Sequence, residues 1–167
     1  MEKSGFFNSS DGDRVYDATD FAAYFGSLVS NGVFYMAATN LQVSPAIGLA
    51  VNVAAGSAWI NGYRYENTDV LNMPLTTANG SNPRIDRIVV RLSQIHRSIK
   101  LAVVTGTPAA TSVAPALTRT SDVYELGIAD VLIPAAATSI VANNITDTRL
   151  NTDLCGLVNS LVSAVYE

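Results

Sequence analysis

The spacing of apolar residues near the N-terminus predicts a short helix. Apolar side chains recur there as one broad stripe at helical spacing, formed by Phe21, Ala22, Tyr24, Phe25, Leu28 and Val29. Asp17 and Asp20 precede the stripe at the spacing of an N-cap residue and its N3 partner. Asn31 and Gly32 supply a stop signal after it. We therefore predict a helix over about residues 17–31.

From residue 33 onward, the pattern changes to that of a β protein. Short runs rich in Val, Ile, Tyr and Thr alternate with Gly, Asn and Pro about every ten residues, which is typical of an antiparallel β-sandwich or barrel-like domain. The clearest unit is a hairpin over 57–65, where Asn61-Gly62 suits a two-residue type I′ turn. Further strands are predicted over 84–92, 98–105 and 123–133, with a surface loop over 106–120.

The C-terminal region shows a heptad-like spacing of leucines. Leu150, Leu154, Leu157 and Leu161, followed by Ala164, are spaced 4, 3, 4 and 3 residues apart. This spacing predicts a helix from residue 150 that begins a coiled-coil stalk and carries self-association through the four leucines. Two heptads also fit a terminal helix lying on its own core, and leucine at both seam positions permits a dimer or a trimer. The predicted division is a β-rich domain over 1–149 and the start of a stalk over 150–167.

Composition excludes several kinds of partner. Of the 167 residues, 49% are hydrophobic and only 14% are charged, so we expect part of the surface to be covered by other chains. The net charge of -4 leaves little electrostatic attraction for a phosphate backbone, which argues against nucleic acid. The sequence lacks the roughly 18 continuous apolar residues of a membrane span, and its first residues lack the apolar region of a secretory signal. We expect no membrane insertion and an intracellular origin.

Candidate catalytic chemistry is sparse. One cysteine, Cys155, and one histidine, His96, exclude an internal disulfide and multi-histidine metal sites. Nucleotide-binding and hydrolase signature motifs are missing from the sequence. We therefore expect no catalytic, cofactor or metal site, and a protein that is not an enzyme. A loop containing Asp11 and Asp13 fits either a bound Ca²⁺ or a solvated turn before the helix cap, and it does not match the EF-hand pattern.

If the protein were an enzyme, its active site would have to be built from carboxylates and hydroxyls alone. The candidates are Asp86 paired with Asp130 or with Asp147, and no spacing in the sequence places them together. Arginines gather around the strand that carries Asp86, and we expect them to form salt bridges with Asp86 or with a neighbouring subunit.

Aromatic residues of the predicted hairpin raise the question of sugar binding. Across a two-residue turn, Trp59 pairs with Arg64 on one face, while Tyr63 and Tyr65 lie on the other. The three rings therefore cannot form one platform, and Arg64 is expected to lie over the Trp59 ring.

Five short segments, in order and covering nearly the whole chain, carry a resemblance to a known family. They are Gly5-Phe6-Phe7, Tyr16-Asp17-Ala18-Thr19-Asp20-Phe21, Ala58-Trp59-Ile60-Asn61-Gly62-Tyr63, Pro83-Arg84-Ile85-Asp86-Arg87-Ile88-Val89 and Ile145-Thr146-Asp147-Thr148-Arg149. Together they resemble the N-terminal domain of baseplate or receptor-binding (tail fibre) proteins of tailed phages and prophages of Gram-positive bacteria. The resemblance implies attachment to the tail or baseplate, association as a homotrimer, and a helical stalk leading to C-terminal domains that contact the host. It brings no catalytic residues and no cofactor.

The expected function is therefore that of a structural virion component made in the host cytoplasm, which attaches an oligomeric receptor-binding or tail fibre protein to other tail or baseplate proteins. Phe6, Phe7, Tyr16 and Phe21 are candidates for a docking arm, although packing onto their own domain fits the pattern equally well. The alternative is a carbohydrate-binding module that recognises a cell-surface glycan and loses binding on Trp59→Ala.

Overall fold

The structure is a computed structural model that describes residue 2 and residues 4–162. Over this part of the chain the fold is mainly β, as predicted, with one α-helix and three antiparallel sheets. The elements are α1 (Ala18–Leu28), β1 (Gly32–Val33), β2 (Val43–Pro45), β3 (Ala50–Val53), β4 (Gly56–Ile60), β5 (Tyr63–Asn67), β6 (Leu71–Pro74), β7 (Arg84–Ser93), β8 (Ser98–Val104), β9 (Val123–Ile133), a 3₁₀ turn (Ala142–Asn144) and β10 (Ile145–Asp147). The strand orders are β1-β4-β5, β2-β3-β6 and β10-β9-β7-β8.

Helix α1 begins at the predicted capping box. The Asp17 carboxylate accepts the backbone N–H groups of Thr19 at 2.8 Å and Asp20 at 3.2 Å. The Asp20 carboxylate in turn accepts the N–H of Asp17 at 3.0 Å. The helix ends at Leu28, earlier than predicted, because Val29 is already extended and bridges to the C-terminal segment. The predicted end near residue 31 was therefore wrong.

The predicted hairpin is confirmed. Asn61 and Gly62 have φ angles of 49° and 84°, which match the left-handed backbone that a type I′ turn needs at both positions. Strands β4 and β5 pair with Trp59 opposite Arg64 and with Ala58 opposite Tyr65.

The four-stranded sheet is built around β7, which pairs with β8 and β9 close to the predicted bounds. A β-bulge interrupts the β7–β9 register between Ile88 and Val89. Both faces of β7 are buried: Val89 and Arg87 are buried along with Ile88 and its neighbours. The second face is covered because the loop over 106–120 lies on it, with Leu117 against Gly127 of β9.

All three sheets contribute to one buried core. Its fully buried apolar side chains include Leu41, Val51, Val53, Ile60, Ile88, Val90, Leu126, Ile128, Val131 and Ile133. Burial of branched side chains of this size is worth about 1.5–3 kcal/mol each, so this shared core holds the sheets together.

The C-terminal segment does not form the helix predicted from residue 150. Residues 150–162 run as turns and short bridges, and Leu157 pairs with Val33 of β1. Gly156, at φ +82°, adopts a left-handed backbone that interrupts any helix through it. The edge of β1 also offers the segment backbone partners: the Val33 N–H donates to Gly156, and the Val158 N–H donates to Val33, both at 3.0 Å.

The remaining part of the predicted stalk, residues 163–167 with Ala164, lies outside the described residues. The four leucines do not share a helical face. Leu157 packs half-buried on the core, Leu154 is half-buried, and Leu150 and Leu161 are exposed. A coiled-coil stalk therefore stays a prediction for residues after 162.

Candidate interaction surface

The N-terminal segment folds back onto α1 through an aromatic cluster. The Phe6 ring lies 5.3 Å from that of Tyr16, 5.5 Å from that of Phe21 and 5.0 Å from that of Tyr24, measured between ring centroids. The Tyr16 hydroxyl accepts the N–H of Phe7 at 2.9 Å and donates to the carbonyl of Phe7 at 3.3 Å. The structure thus brings the four predicted docking-arm residues together at α1.

The cluster continues from α1 to the β4–β5 hairpin. Tyr24 meets Phe25 at 5.7 Å, and Phe25 meets the edge of Trp59 at 6.0 Å. On the other side of Trp59 lies Phe34, at 6.4 Å. We call this set the aromatic ribbon; it comprises Phe6, Tyr16, Phe21, Tyr24, Phe25, Phe34 and Trp59, together with Phe7, which joins it through its backbone hydrogen bonds to Tyr16 and whose ring lies 5.4 Å from the Arg14 guanidinium.

Much of the aromatic ribbon faces solvent. The exposed fractions are 46% for Phe6, 58% for Phe7, 47% for Phe21, 48% for Tyr24 and 43% for Phe25. Single exposed apolar residues are ordinary, but a contiguous group of large rings marks an interaction site. Tyr24 and Phe25 belong to the apolar stripe of α1, and helical spacing alone gives no sign that this part of the stripe is exposed.

Helix α1 is joined to the body by a narrow contact. Ala22 is its one buried residue, and it sits on the hairpin turn so closely that a Cβ on Gly62 would overlap the carbonyl oxygen of Ala22. Beside this contact, Asn31 and Asn61 bond reciprocally: the Asn31 side-chain amide donates to Asn61 Oδ1 at 2.8 Å, and the Asn61 N–H donates to Asn31 Oδ1 at 2.7 Å.

Trp59 is enclosed rather than presented as a platform. Its indole N–H is buried and has no hydrogen-bond acceptor among the described residues. The expected stacking of Arg64 on Trp59 was wrong, because Arg64 forms an ion pair with Glu66 at 2.9 Å. On the opposite face Tyr65 is half-buried, and this burial raises the pKa of its hydroxyl.

The carboxylates considered for acid–base chemistry are each paired with their own arginine. Arg84 Nε donates to Asp86 at 2.9 Å, as predicted from the sequence, and Arg87 Nε donates to Asp130 at 2.7 Å. Both pairs are largely buried. The same groups also hold the loop over 106–120. Asp86 accepts the Gly106 N–H at 2.9 Å, and Arg87 donates to the carbonyl of Pro115 at 2.6 Å.

The third carboxylate, Asp147, also has a dedicated partner. Arg149 donates to it at 2.6 Å, and this hydrogen bond holds the pKa of Asp147 below its ordinary range. Arg149 also donates to the backbone carbonyls of Ala38 at 3.0 Å and Asn40 at 2.6 Å. These ion pairs and hydrogen bonds join strands to loops, and this arrangement fits a structural role.

The other chemical candidates lie in local structure. Cys155 is buried, and desolvation raises the pKa of its thiol to about 12. His96 lies in the turn between β7 and β8. Asp13 accepts the Ser10 N–H at 2.7 Å, and in the described part of the chain no three His, Cys, Asp or Glu side chains are placed to hold a metal ion.

A cleft of about 460 Å³ opens beside α1, between β5 and the β7–β8 turn. Its wall includes the Tyr63 side chain, and its polar lining includes Thr19, Arg64, Gln94 and Arg97. Its volume lies within the range of small-molecule sites.

Comparison of this chain with protein-family models, with curated proteins and with solved structures found no match. In the part of the chain that the structure describes, no helix is long and apolar enough to cross a membrane.

Proposed function

We propose that this chain is a non-enzymatic structural component of a virion, the tail or baseplate attachment domain of a homotrimeric receptor-binding or tail fibre protein. The observation that carries the proposal is the aromatic ribbon, displayed on an N-terminal segment that is joined to the body by a narrow contact. An attachment domain needs such a surface, because a permanent complex is held mainly by burial of apolar area.

The size of the aromatic ribbon supports stable attachment. An aromatic side chain buries about 150–250 Å² when it is fully covered. Covering the exposed half of the five most exposed rings would contribute on the order of 10 kcal/mol before the cost of association is subtracted. Neighbouring edge-to-face pairs keep the rings ordered, so little side-chain freedom is lost on docking.

The ion pairs also favour a structural role over a catalytic one. The buried Asp86 and the half-buried Asp130 are each neutralised by an arginine, and the two ion pairs fasten the loop over 106–120 to the sheet. We further propose that the three sheets form a barrel-like sandwich around their common core, and that a coiled-coil stalk follows residue 162.

Attachment can be tested on particles. Immunogold electron microscopy of phage particles produced by the strain that carries this coding sequence should place the chain at the tail tip or baseplate. Particles of normal morphology that lack the chain would contradict the proposal. In complementation with Phe7→Ser and Phe21→Ser, incorporation should fall, whereas the exposed but distant Ile47→Ser should leave it unchanged.

The oligomeric state is tested separately, by light scattering of the purified chain over a range of concentrations. We expect the mass of a trimer, and a lower mass for Leu150→Asp combined with Leu161→Asp. The control is Ile47→Asp, a fully exposed position outside the predicted seam. A monomer at every concentration would exclude the homotrimer.

The cleft beside α1 favours one alternative, a carbohydrate-binding module for a cell-surface glycan. Its aromatic wall and polar lining are the features that sugar sites combine. A glycan array tests this function. Binding that is lost in Tyr63→Ala and Arg97→Ala would establish the alternative, and an array without binding would exclude it for the glycans tested. Trp59→Ala, proposed from the sequence for this purpose, would mainly test the fold, because Trp59 lies between Phe25 and Phe34.

A further inference from the structure

We propose that Asn79-Gly80 is a self-modifying site, at which the Asn79 side-chain amide is converted by the chain's own backbone into aspartate and isoaspartate. The sequence contains three Asn-Gly pairs, at Asn31, Asn61 and Asn79. The structure distinguishes them, and only the third combines an amide oxygen that accepts two backbone N–H groups with an unobstructed glycine.

The reaction balances without any outside oxidant or enzyme. The backbone nitrogen of Gly80 attacks Cγ of Asn79, a C–N bond forms, and the side-chain nitrogen leaves as ammonia after proton transfer through solvent. The product is a five-membered succinimide. Water then opens either carbonyl of this ring, giving aspartate or, when the backbone carbonyl is attacked, isoaspartate. Both products carry a new carboxylate.

The surroundings of the Asn79 side chain favour the attack. Its Oδ1 accepts the backbone N–H groups of Ser81 and Asn82, each at 2.9 Å. Negative charge develops on this oxygen when Cγ becomes tetrahedral. Two backbone donors at this distance match the arrangement that stabilises such oxyanions in acyl-transfer enzymes.

The residue that carries the nucleophile is also unobstructed. Gly80 is exposed, a Cβ built on it would meet nothing within 4 Å, and its N–H donates no hydrogen bond to the described residues. Immediately before it, the Asn79 carbonyl accepts the N–H of Ala136 at 2.8 Å. This hydrogen bond holds the peptide group that contains the Gly80 nitrogen, whereas the space around the Gly80 Cα stays open.

The other two pairs are restrained. A Cβ on Gly62 would overlap α1, and one on Gly32 would lie 2.6 Å from the carbonyl oxygen of Gly156, so neither glycine has room to shift. The side chains that precede them, Asn61 and Asn31, are bonded to each other. We expect both amides to persist in the folded protein.

The modification would act on a loop that supports a buried charge. A few residues upstream, the backbone carbonyl oxygens of Thr76 and Thr77 accept hydrogen bonds from the Arg84 guanidinium. An isoaspartate lengthens the main chain by one carbon between these acceptors and β7. The reaction thus adds, with time, one negative charge to the loop whose carbonyl oxygens hold the Arg84 guanidinium.

The test is incubation of the folded full chain in warm, mildly alkaline buffer, followed by peptide mass spectrometry that separates aspartate from isoaspartate at each asparagine. We expect conversion at Asn79 to be at least about tenfold faster than at Asn31 or Asn61, since a single oxyanion donor is worth about 10²–10³ in an enzyme site. Unfolding the chain in urea should make the three rates similar. Equal rates in the folded chain, or faster conversion at Asn61, would overturn the proposal.

Two variants test the mechanism. Gly80→Ala, which places a Cβ in open space and should fold normally, is expected to slow conversion because it hinders the attacking nitrogen. Asn82→Pro removes one N–H donor from Oδ1 and should slow conversion about tenfold, whereas faster conversion would show that the two hydrogen bonds only restrain the side chain. The native emission of Trp59 verifies that each variant is folded.

Discussion

The contact between α1 and the hairpin turn leads to a sharp prediction for Gly62→Ala. The substitution adds a single methyl group at the point where the Ala22 carbonyl rests on the turn. That methyl group cannot fit without a shift of α1, because the turn is fixed by the register of β4 and β5. We expect α1 to lift from the hairpin while the sheets stay folded.

A matched control separates the expected loss of stability of Gly62→Ala into two parts. Gly62 has φ +84° and Gly48 has φ +74°, so alanine at either position incurs the left-handed backbone cost of about 1–2 kcal/mol. At Gly48 nothing lies within 4 Å of the added Cβ, and this cost should be the whole effect. At Gly62 the loss of the Ala22 contact and of the Phe25–Trp59 ring pair should add about 1–3 kcal/mol.

Trp59 is the only tryptophan in the chain, and it provides the assay. Lifting α1 removes the Phe25 ring from the indole, so the emission of folded Gly62→Ala should shift to the red, whereas Gly48→Ala should keep the wild-type spectrum. Urea unfolding gives the accompanying loss of stability. If the two variants show the same spectrum and the same free energy of unfolding, the Ala22–Gly62 contact does not hold the helix and the reasoning is wrong.

Three further predictions concern single side chains. Arg149 lowers the pKa of Asp147 in the folded protein. The Asp147 carboxylate therefore stabilises the fold fully at pH values above its pKa in the unfolded chain, about 3.9, and this contribution is lost as the pH falls through the lower pKa of the folded state. Asp147→Asn should therefore cost up to about 1 kcal/mol in urea unfolding near neutral pH and converge with wild type in acid; a constant difference would contradict this. The Cys155 thiol, with its pKa near 12, should react with a disulfide reagent at mildly alkaline pH about 10³-fold more slowly than in the unfolded chain, and equal rates would show it to be accessible. Asp86→Asn leaves the buried Arg84 charge without its counter-ion and should destabilise the fold by about 3–5 kcal/mol in urea unfolding; a loss below 1 kcal/mol would show that the pair is dispensable.

Features encoded by neighbouring residues could be predicted from the sequence. The Asp17–Asp20 capping box and the Asn61-Gly62 turn each depend on a few adjacent residues, and both formed as expected. The long strands also followed from their local composition. Their pairing did not, because β9 reaches β7 across a loop and with a bulge, so the Arg87–Asp130 pair joins residues 43 positions apart.

The C-terminal leucine spacing shows why a repeat alone is a weak signal. Gly156 stands inside the second heptad, where a helix would lose stability, and it was the one local sign against a helix there. The alternative partner of this segment, the edge of β1, is more than a hundred residues distant in sequence. No local pattern could have shown that this edge was free.

The candidate surface was predictable in part. Phe6, Tyr16 and Phe21 were identified from the N-terminal sequence, and they do cluster. The exposure of Tyr24 and Phe25 depends on how little of α1 the body covers, which is a property of the tertiary structure. An apolar stripe predicts that a helix face will be buried, but it does not tell whether the covering surface belongs to the same chain.

The pairing of the C-terminal segment with the start of the sheet has a mechanical consequence. Backbone hydrogen bonds at 2.9 Å join Ser30 to Asn159 and Leu161 to Leu28, in addition to those around Val33. Tension applied to the chain after residue 162 would load these hydrogen bonds simultaneously. The force would then pass into β1 and the end of α1 before it reached the rest of the core. The same few residues would then transmit force between a partner bound to the N-terminal segment and a load on the C-terminal segment. Sheets β2-β3-β6 and β10-β9-β7-β8 lie outside this path and would carry little of the force.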